Sequence, residues 1–470
     1  MRFKKTDTMN KYSSPVLRFI FGSILLATSF VGCEKEDPLP PEPTETEIVN
    51  QFVFDVLSTY YLWDTFIPSG IDISTYSDPN LLFEDMKYDE LDHWSAITDD
   101  YVAFQDALNG VRTTAGYKLK LFQIADSETV FGIIELVYSG GSADEAGLKR
   151  GDIMMKINGE SLTTSNYVDL LGLEEYTIGL GQMVDDVLSE TGETASIKKR
   201  EMSINPILYY DVIDVEGTKI GYFVYDQFLD SYTTELKDVF SYFASQNITE
   251  LVLDFRYNPG GYLSTCVDLA GMIVPEPALD KIFLSMEWNR QLTDYLTSKY
   301  GADSGYFKLF FSVPEVNLDL NRLVVLTSER TASASEAIIN GLSPYMDVTV
   351  IGEQTVGKYT GASLFYDSEE QKHTWGIYLV INKIINVLGN TDYVDGFIPD
   401  FAVDDDYTTP LGDVNEPLLA KAIEYLVGVP VKKSVALPDN FQKLDNYYEN
   451  NFEKNGLMIT GKVKLNKHLK

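Results

Sequence analysis

A hydroxyl and an amine stand 25 residues apart in the last third of the chain: Ser333 in TASASEAI (331–338) and Lys358 in GEQTVGKYTG (352–361). A serine hydroxyl is a weak nucleophile until a base removes its proton. A lysine becomes that base when burial disfavours its ammonium form and draws its pKa toward neutrality. The three histidines, His93, His373 and His468, lie elsewhere in the sequence, so the chemistry on offer is the Ser–Lys variant of triad logic. Ser333-Ala334-Ser335-Glu336 also has a local meaning, since a hydroxyl followed three residues later by Glu is a capping box. Lys358 likewise reads equally as a loop lysine in solvent or as a partner of Glu353. Capping and catalysis are compatible, because the dipole of a helix that starts at the serine favours a developing oxyanion.

The flanking elements must bring the two residues together. Leu323–Leu326 reads as a buried strand leading to Ser333. A helix from Ser333 to about Leu342 carries the chain roughly 15 Å away, and Ser343-Pro344 ends it. Val348–Gly352 then returns as a strand of about 16 Å, which sets the loop holding Lys358 level with the helix start. A second strand, Leu251–Phe255, opens onto Asn258-Pro259-Gly260-Gly261. Its two glycines leave backbone amides open to a substrate, an arrangement suited to an oxyanion hole, although an ordinary strand-to-helix turn has the same composition. With a strand at Ile220–Val224 and a helix pattern at Thr233–Ala244, residues 206–435 alternate strand and helix, as in an α/β domain.

The rest of the chain is organised around this core. Residues 109–205 read as short strands broken by glycine, centred on GSADEAGLKRGDIMMKINGESL (141–162), in which Asn158-Gly159 signals a tight hairpin. Residues 47–108 carry helical spacing (Val49, Phe52, Val53, Val56, Leu57) and an aromatic run, Tyr60-Tyr61-Leu62-Trp63, with no chemistry assigned to them. Residues 436–470 are polar and aromatic with a Lys-rich end, and their fold is left open. Residues 1–33 have a basic start (Arg2, Lys4, Lys5, Lys11) and an apolar stretch ending in small residues, the pattern of a targeting segment. The acidic, Pro-rich 34–46 reads as an extended tether.

Composition excludes whole classes. Lys and Arg number 37 against 71 Asp and Glu, a net charge of −34, and such a surface repels nucleic acid phosphates. Two cysteines, Cys33 and Cys266, and three scattered histidines make no structural zinc cluster. No cofactor signature is present, and the acidic residues form no EF-hand loop.

Several stretches carry resemblances. Residues 141–162 are similar to the core of a PDZ domain, which binds peptide C-termini by strand addition. The resemblance puts its carboxylate loop at Gly116-Tyr117-Lys118-Leu119. Phe30-Val31-Gly32-Cys33 resembles a bacterial lipobox, with Cys33 the lipidated residue, and the acidic run after it is similar to surface-export signals of Bacteroidetes lipoproteins. LVLDFRYNPGG, TASASEAI, VIGEQTVGK and DGFIPD (395–400) occur in the order and spacing of the C-terminal processing peptidases, the tail-specific S41 family. That resemblance covers about residues 110–405. It implies a multidomain α+β chain: a small helical N-terminal domain, a β-rich PDZ-like domain and a crotonase-like catalytic core. It also implies Ser333 as nucleophile, Lys358 as general base, the Gly260 and Ala334 amides as oxyanion donors, and a structural Ser335. Many members carry a Gln four residues after the lysine, where this chain has Ala362. The expectation is a cell-envelope lipoprotein acting on proteins or peptides with no cofactor. A non-catalytic binding protein on the same fold is the alternative.

Overall fold

The computed structural model describes residues 42–185, 187–430, 437–438, 440–444 and 456–460. The targeting segment, Cys33 and most of the tether lie outside the described residues.

Apolar runs with no polar alternation build the central sheet. Its six strands run in the order Ile207–Val215, Thr218–Tyr225, Glu250–Asp254, Arg322–Thr327, Asp347–Gly352 and Phe401–Ala402. The first pair is antiparallel and every later pair parallel. Parallel strands are covered on both faces, so both alternating sets of side chains are apolar. Phe223, Leu251, Leu253, Leu323 and Val325 join the large core cluster on one face. Tyr222, Val252, Val324, Leu326 and Ile351 pack against Leu418, Leu419, Ala422 and Ile423 of helix Pro417–Val427 on the other. Each fully buried residue of this type contributes about 1.5–3 kcal/mol.

A second sheet runs Gly260–Tyr262, Leu457–Ile459, Thr360–Tyr366, Gly376–Asn386, Ile282–Trp288 and Lys308–Phe310. Its second strand comes from the carboxy-terminal segment and pairs in parallel with Gly260–Tyr262.

The helical region 47–108 does not stand apart. Helices Glu45–Tyr60, Pro79–Met86 and Tyr101–Leu108 share the large core cluster with the central and second sheets. Strand Ala96–Thr98 pairs with Gly376–Asn386, and Leu62 N–H donates to Val380 O at 3.1 Å. Periodicity marked the first of these helices, Glu45–Tyr60, and all three need the two sheets to cover their apolar faces.

The PDZ region has its own cluster, including Leu119, Leu121, Ile134, Met154, Ile157, Leu171 and Ile178. Asn158 and Gly159 take φ of 53° and 82°, the left-handed pair of a tight hairpin turn between Ile153–Ile157 and Glu160–Ser161.

Candidate active site

Ser333 sits on a strained turn between strand Arg322–Thr327 and helix Ala334–Leu342, with φ 63° and ψ −109°. A non-glycine residue there costs roughly 1–3 kcal/mol and persists only where surroundings enforce it. The surroundings are visible: Thr331 Oγ1 donates to Phe255 O at 2.8 Å, Ala332 N–H to Asn258 O at 3.1 Å, and Ser335 Oγ to Asn258 O at 3.2 Å. The capping-box pattern is made in one direction, with Ser333 N–H donating to Glu336 Oε2 at 2.6 Å. The Ser333 hydroxyl is fully buried and has no hydrogen-bond partner among the described residues. The helix explains the backbone and leaves the hydroxyl for other work.

Strand Asp347–Gly352 returns the chain, and Lys358 lies in the loop beyond it. Gly357 has φ +94°, and a Cβ there would lie 2.2 Å from Val394 O, so only glycine fits before the lysine. Lys358 is completely buried, and its nitrogen lies 5.0 Å from the Tyr378 ring centroid and 6.0 Å from that of Trp94. Burial pulls its pKa down to about 7, while Asp92 and Glu336 pull it partly back. Its amine donates to Gly456 O at 2.7 Å and to Tyr378 Oη at 3.4 Å. Tyr378 Oη is thus a side-chain oxygen in reach of the amine, whereas Ala362 carries no polar side chain.

Glu336 joins the two halves. Its carboxylate accepts from Ser333 N–H (2.6 Å), Thr355 Oγ1 (2.6 Å), Gly357 N–H (2.6 Å) and Lys358 N–H (2.9 Å). Burial raises its pKa to about 7 despite these four donors. Asp92 is fixed by Tyr61 Oη (2.8 Å), Trp94 N–H (3.0 Å) and Ser95 N–H (2.8 Å). Glu336 was visible in sequence only as a cap. Asp92 and Trp94 belong to the helical region given no chemistry, and no local pattern marks them.

Gly260 lies against Ser333: a Cβ on it would be 2.8 Å from Ser333 Cβ, 3.0 Å from Ala334 N and 2.2 Å from Leu457 O. The absence of a side chain is required, as expected. Its amide, however, is not open, because Gly260 N–H donates to Asn258 Oδ1 at 2.9 Å. Asn258 in turn donates to Tyr225 O at 2.9 Å. Ala334 N–H stands at the first position of its helix, where no intrahelical acceptor exists. Cys266 is buried and free of disulfides, and its Sγ donates to Ala334 O at 3.4 Å.

The loop Gly116-Tyr117-Lys118-Leu119 lies at the start of strand Tyr117–Ile124, with Gly116 at φ +88°. Lys118 does not face a peptide groove. It is buried, donating to Asp226 Oδ1 at 2.7 Å and Tyr257 O at 3.0 Å, which anchors the PDZ region to the catalytic core. Tyr117 Oη contacts Tyr176 Oη at 2.6 Å, and Leu119 O accepts from Arg330 at 3.1 Å.

The parallel-sheet core, the strained serine at a helix start and the buried amine define the class of a serine-hydrolase-like α/β core bearing a PDZ module. Residues 219–403 match Peptidase family S41, residues 49–96 the Peptidase S41 N-terminal domain, and residues 133–174 a PDZ domain. The chain is thus similar to the S41 peptidases over these segments. A carboxyl-terminal-processing protease of Picosynechococcus sp. is 29% identical over 48% of this chain and 50% of its own length. One of Synechocystis sp. is 25% identical over 57% of each chain. The chain thus spans about half the length of these curated relatives. A solved structure of a protein from Bacteroides fragilis NCTC 9343, described as a candidate S41 protease, has the same fold: TM-score 0.68 over 83% of this chain and 99% of that one, at 24% identity.

Proposed function

We propose that this chain is a serine endopeptidase in which Ser333 and Lys358 form the catalytic dyad. The observation that carries the reading is a serine hydroxyl on a strained turn, without a hydrogen-bond partner among the described residues, in a chain where Glu336 also binds the backbone of a fully buried lysine whose pKa burial brings to about 7. A nitrogen of that pKa is half neutral near physiological pH, which suits it to accept the serine proton. Lys358 takes the proton as Ser333 Oγ attacks the scissile carbonyl. Ala334 N–H, at the positive end of its helix, receives the developing oxyanion, and Gly260 provides the space beside it. Lys358 then returns the proton to the leaving amine, and water hydrolyses the acyl-enzyme through the same relay. The PDZ region selects peptide C-termini or unfolded tails for the cleft. Cys33 anchors the chain by a lipid to the outer membrane, through the acidic, Pro-rich tether.

The test uses the chain from Thr44 onward with an unfolded protein substrate at mildly alkaline pH, alongside Ser333→Ala and Lys358→Ala. Fragments are detected by intact mass. Cleavage by the parent and by neither variant supports the dyad. Equal cleavage by all three removes it. No cleavage by the parent or by a chain ending at Asn450, with peptide C-termini still bound, favours a binding protein.

A further inference from the structure

Both peptide-binding edges of this molecule are filled by the chain's own carboxy-terminal segment. In the catalytic sheet, Leu457–Ile459 lies between Gly260–Tyr262 and Thr360–Tyr366, in parallel with each. Each flank is held without it. Gly260–Tyr262 is tied to Phe228, whose N–H donates to Gly260 O (2.9 Å) and whose carbonyl accepts from Tyr262 N–H (2.8 Å). Thr360–Tyr366 is paired along its length with Gly376–Asn386. Removing the segment would leave a slot one strand wide, about 9.5 Å between its edges, with Ser333 beside one of them.

The segment's polar contacts fall on the catalytic groups. Gly456 O accepts from Lys358 Nζ at 2.7 Å. Met458 N–H donates to Tyr378 Oη at 3.1 Å, and Met458 O accepts from it at 3.3 Å. Leu457 O crowds the point where Gly260, Ser333 Cβ and Ala334 N meet. Leu457, Met458 and Ile459 are all buried. While this strand is in place, Lys358 donates to the segment, and the Ser333 hydroxyl has no partner.

The PDZ edge is filled in the same way. Phe441–Lys443 pairs antiparallel with Tyr117–Ile124, and Leu444 N–H donates to Leu121 O at 3.0 Å. Leu444 packs against the cluster containing Leu119, Leu121 and Leu171, while Phe441 meets the Phe131 ring edge-on at 4.8 Å. The pairing covers Leu121–Ile124, the far end of the strand that follows the loop at 116–119, and antiparallel strand addition is how a PDZ domain takes a peptide.

We propose that residues 440–444 and 456–460 are an intramolecular peptide ligand, which fills the PDZ edge and the catalytic slot and must leave before an extended, apolar substrate enters the slot parallel to Gly260–Tyr262. The consequence for catalysis rests on the Ser333–Lys358 reading; the occupancy does not. A tethered ligand acts at an effective concentration of millimolar order, so a segment whose free peptide binds at about 10 µM keeps the slot about 99% occupied.

The experiment compares the chain Thr44–Lys470, its Met458→Asp and Leu444→Asp variants, and a chain ending at Asn450. A fluorophosphonate probe reports access to Ser333, and a fluorescent peptide spanning Asn455–Lys462 is titrated onto the Ser333→Ala form of the shorter chain. Met458→Asp and truncation are expected to speed labelling by about 10- to 100-fold, with Leu444→Asp smaller in effect. The peptide is expected to bind the shorter chain and not the full one. In the full chain, amide exchange at 457–460 should be faster than at 361–365, as a displaceable ligand opens without global unfolding. Exchange as slow as in the flanking strands, or a shorter chain that folds but does not bind the peptide, overturns the proposal. Peptide binding with no labelling or cleavage by any form removes the dyad and leaves the ligand proposal standing.

Discussion

Glu336 accepts from the backbone N–H of Ser333 at 2.6 Å while its other contacts hold the loop of Lys358, whose own N–H reaches it at 2.9 Å. One buried carboxylate therefore ties the backbone of Ser333 to that of Lys358, the two residues of the proposed dyad. Neither bond involves the reacting atoms, so Glu336 is a positioning residue.

Replacing it should misplace both partners. Glu336→Ala leaves three backbone N–H groups and Thr355 without their acceptor, and each buried orphan costs on the order of 1–3 kcal/mol. kcat/KM is expected to fall by about 100-fold, the effect of a shift near 1 Å at a reacting centre. Glu336→Gln keeps the shape and one oxygen, and should recover part of the loss. Kinetics and urea titration of both variants measure this; unchanged kcat/KM in Glu336→Ala would show that the turn and loop hold themselves.

The strain at Ser333 makes a prediction of opposite sign for stability. Ser333→Gly releases a backbone held at φ 63°, ψ −109° and removes a buried hydroxyl without a partner. It should raise stability by roughly 1–3 kcal/mol while abolishing cleavage. Ser333→Ala removes the hydroxyl but keeps the strain, so its gain should be smaller. A Ser333→Gly protein that unfolds at lower urea than the parent would count against the strain.

Much of this was legible beforehand because it is local. LVLD and LVVL read as buried strands since both faces of a parallel sheet are apolar, and Gly260 stands where a Cβ has no room. The relations that assemble the site were not legible. Asp92 and Trp94 reach Lys358 across more than 260 residues of sequence. Gly456–Thr460 enters the site as three short β residues with a flanking glycine and threonine, a pattern too brief to carry periodicity. Gly260 shows the limit of composition: a glycine-rich turn announced an open amide, but the side chain two residues earlier occupies it. Lys118 shows another, because a lysine in a loop beside a peptide edge is recruited by Asp226 from a distant strand end.

Lys118 supplies a prediction that separates structure from ligand binding. Asp226 is almost fully buried and accepts from Lys118 and from Tyr138 Oη (2.8 Å). Lys118→Met removes one partner of a buried pair and leaves the carboxylate uncompensated, a loss of about 3–5 kcal/mol. Affinity of the PDZ edge for peptide C-termini should stay unchanged in the folded fraction. A variant of parental stability with weakened peptide binding would return Lys118 to the groove.

Lys358 gives the pH dependence. Its pKa of about 7 in the folded chain lies below the ordinary 10.5, with burial the main cause. For catalysis the neutral amine is the active form, so kcat/KM should rise about tenfold per pH unit below 7 and level off above it. Glu336, raised to about 7 by burial, acts in the same direction, since its ionised form accepts from all four donors. For stability the two differ. Between pH 7 and 10.5 the unfolded chain holds a proton on Lys358 that the folded chain has released, so stability from this group rises with pH across that window. Glu336 holds a proton when folded that the unfolded chain loses above 4.5, so its contribution falls between 4.5 and 7. Lys358→Met should therefore be inactive yet more stable than the parent at pH 7, by about 4 kcal/mol, with the gap closing toward pH 10. Urea titrations at pH 6, 8 and 10 measure it. A gap that does not shrink as pH rises would mean that Lys358 is already neutral in both states or charged in both, and the base would have to be sought elsewhere.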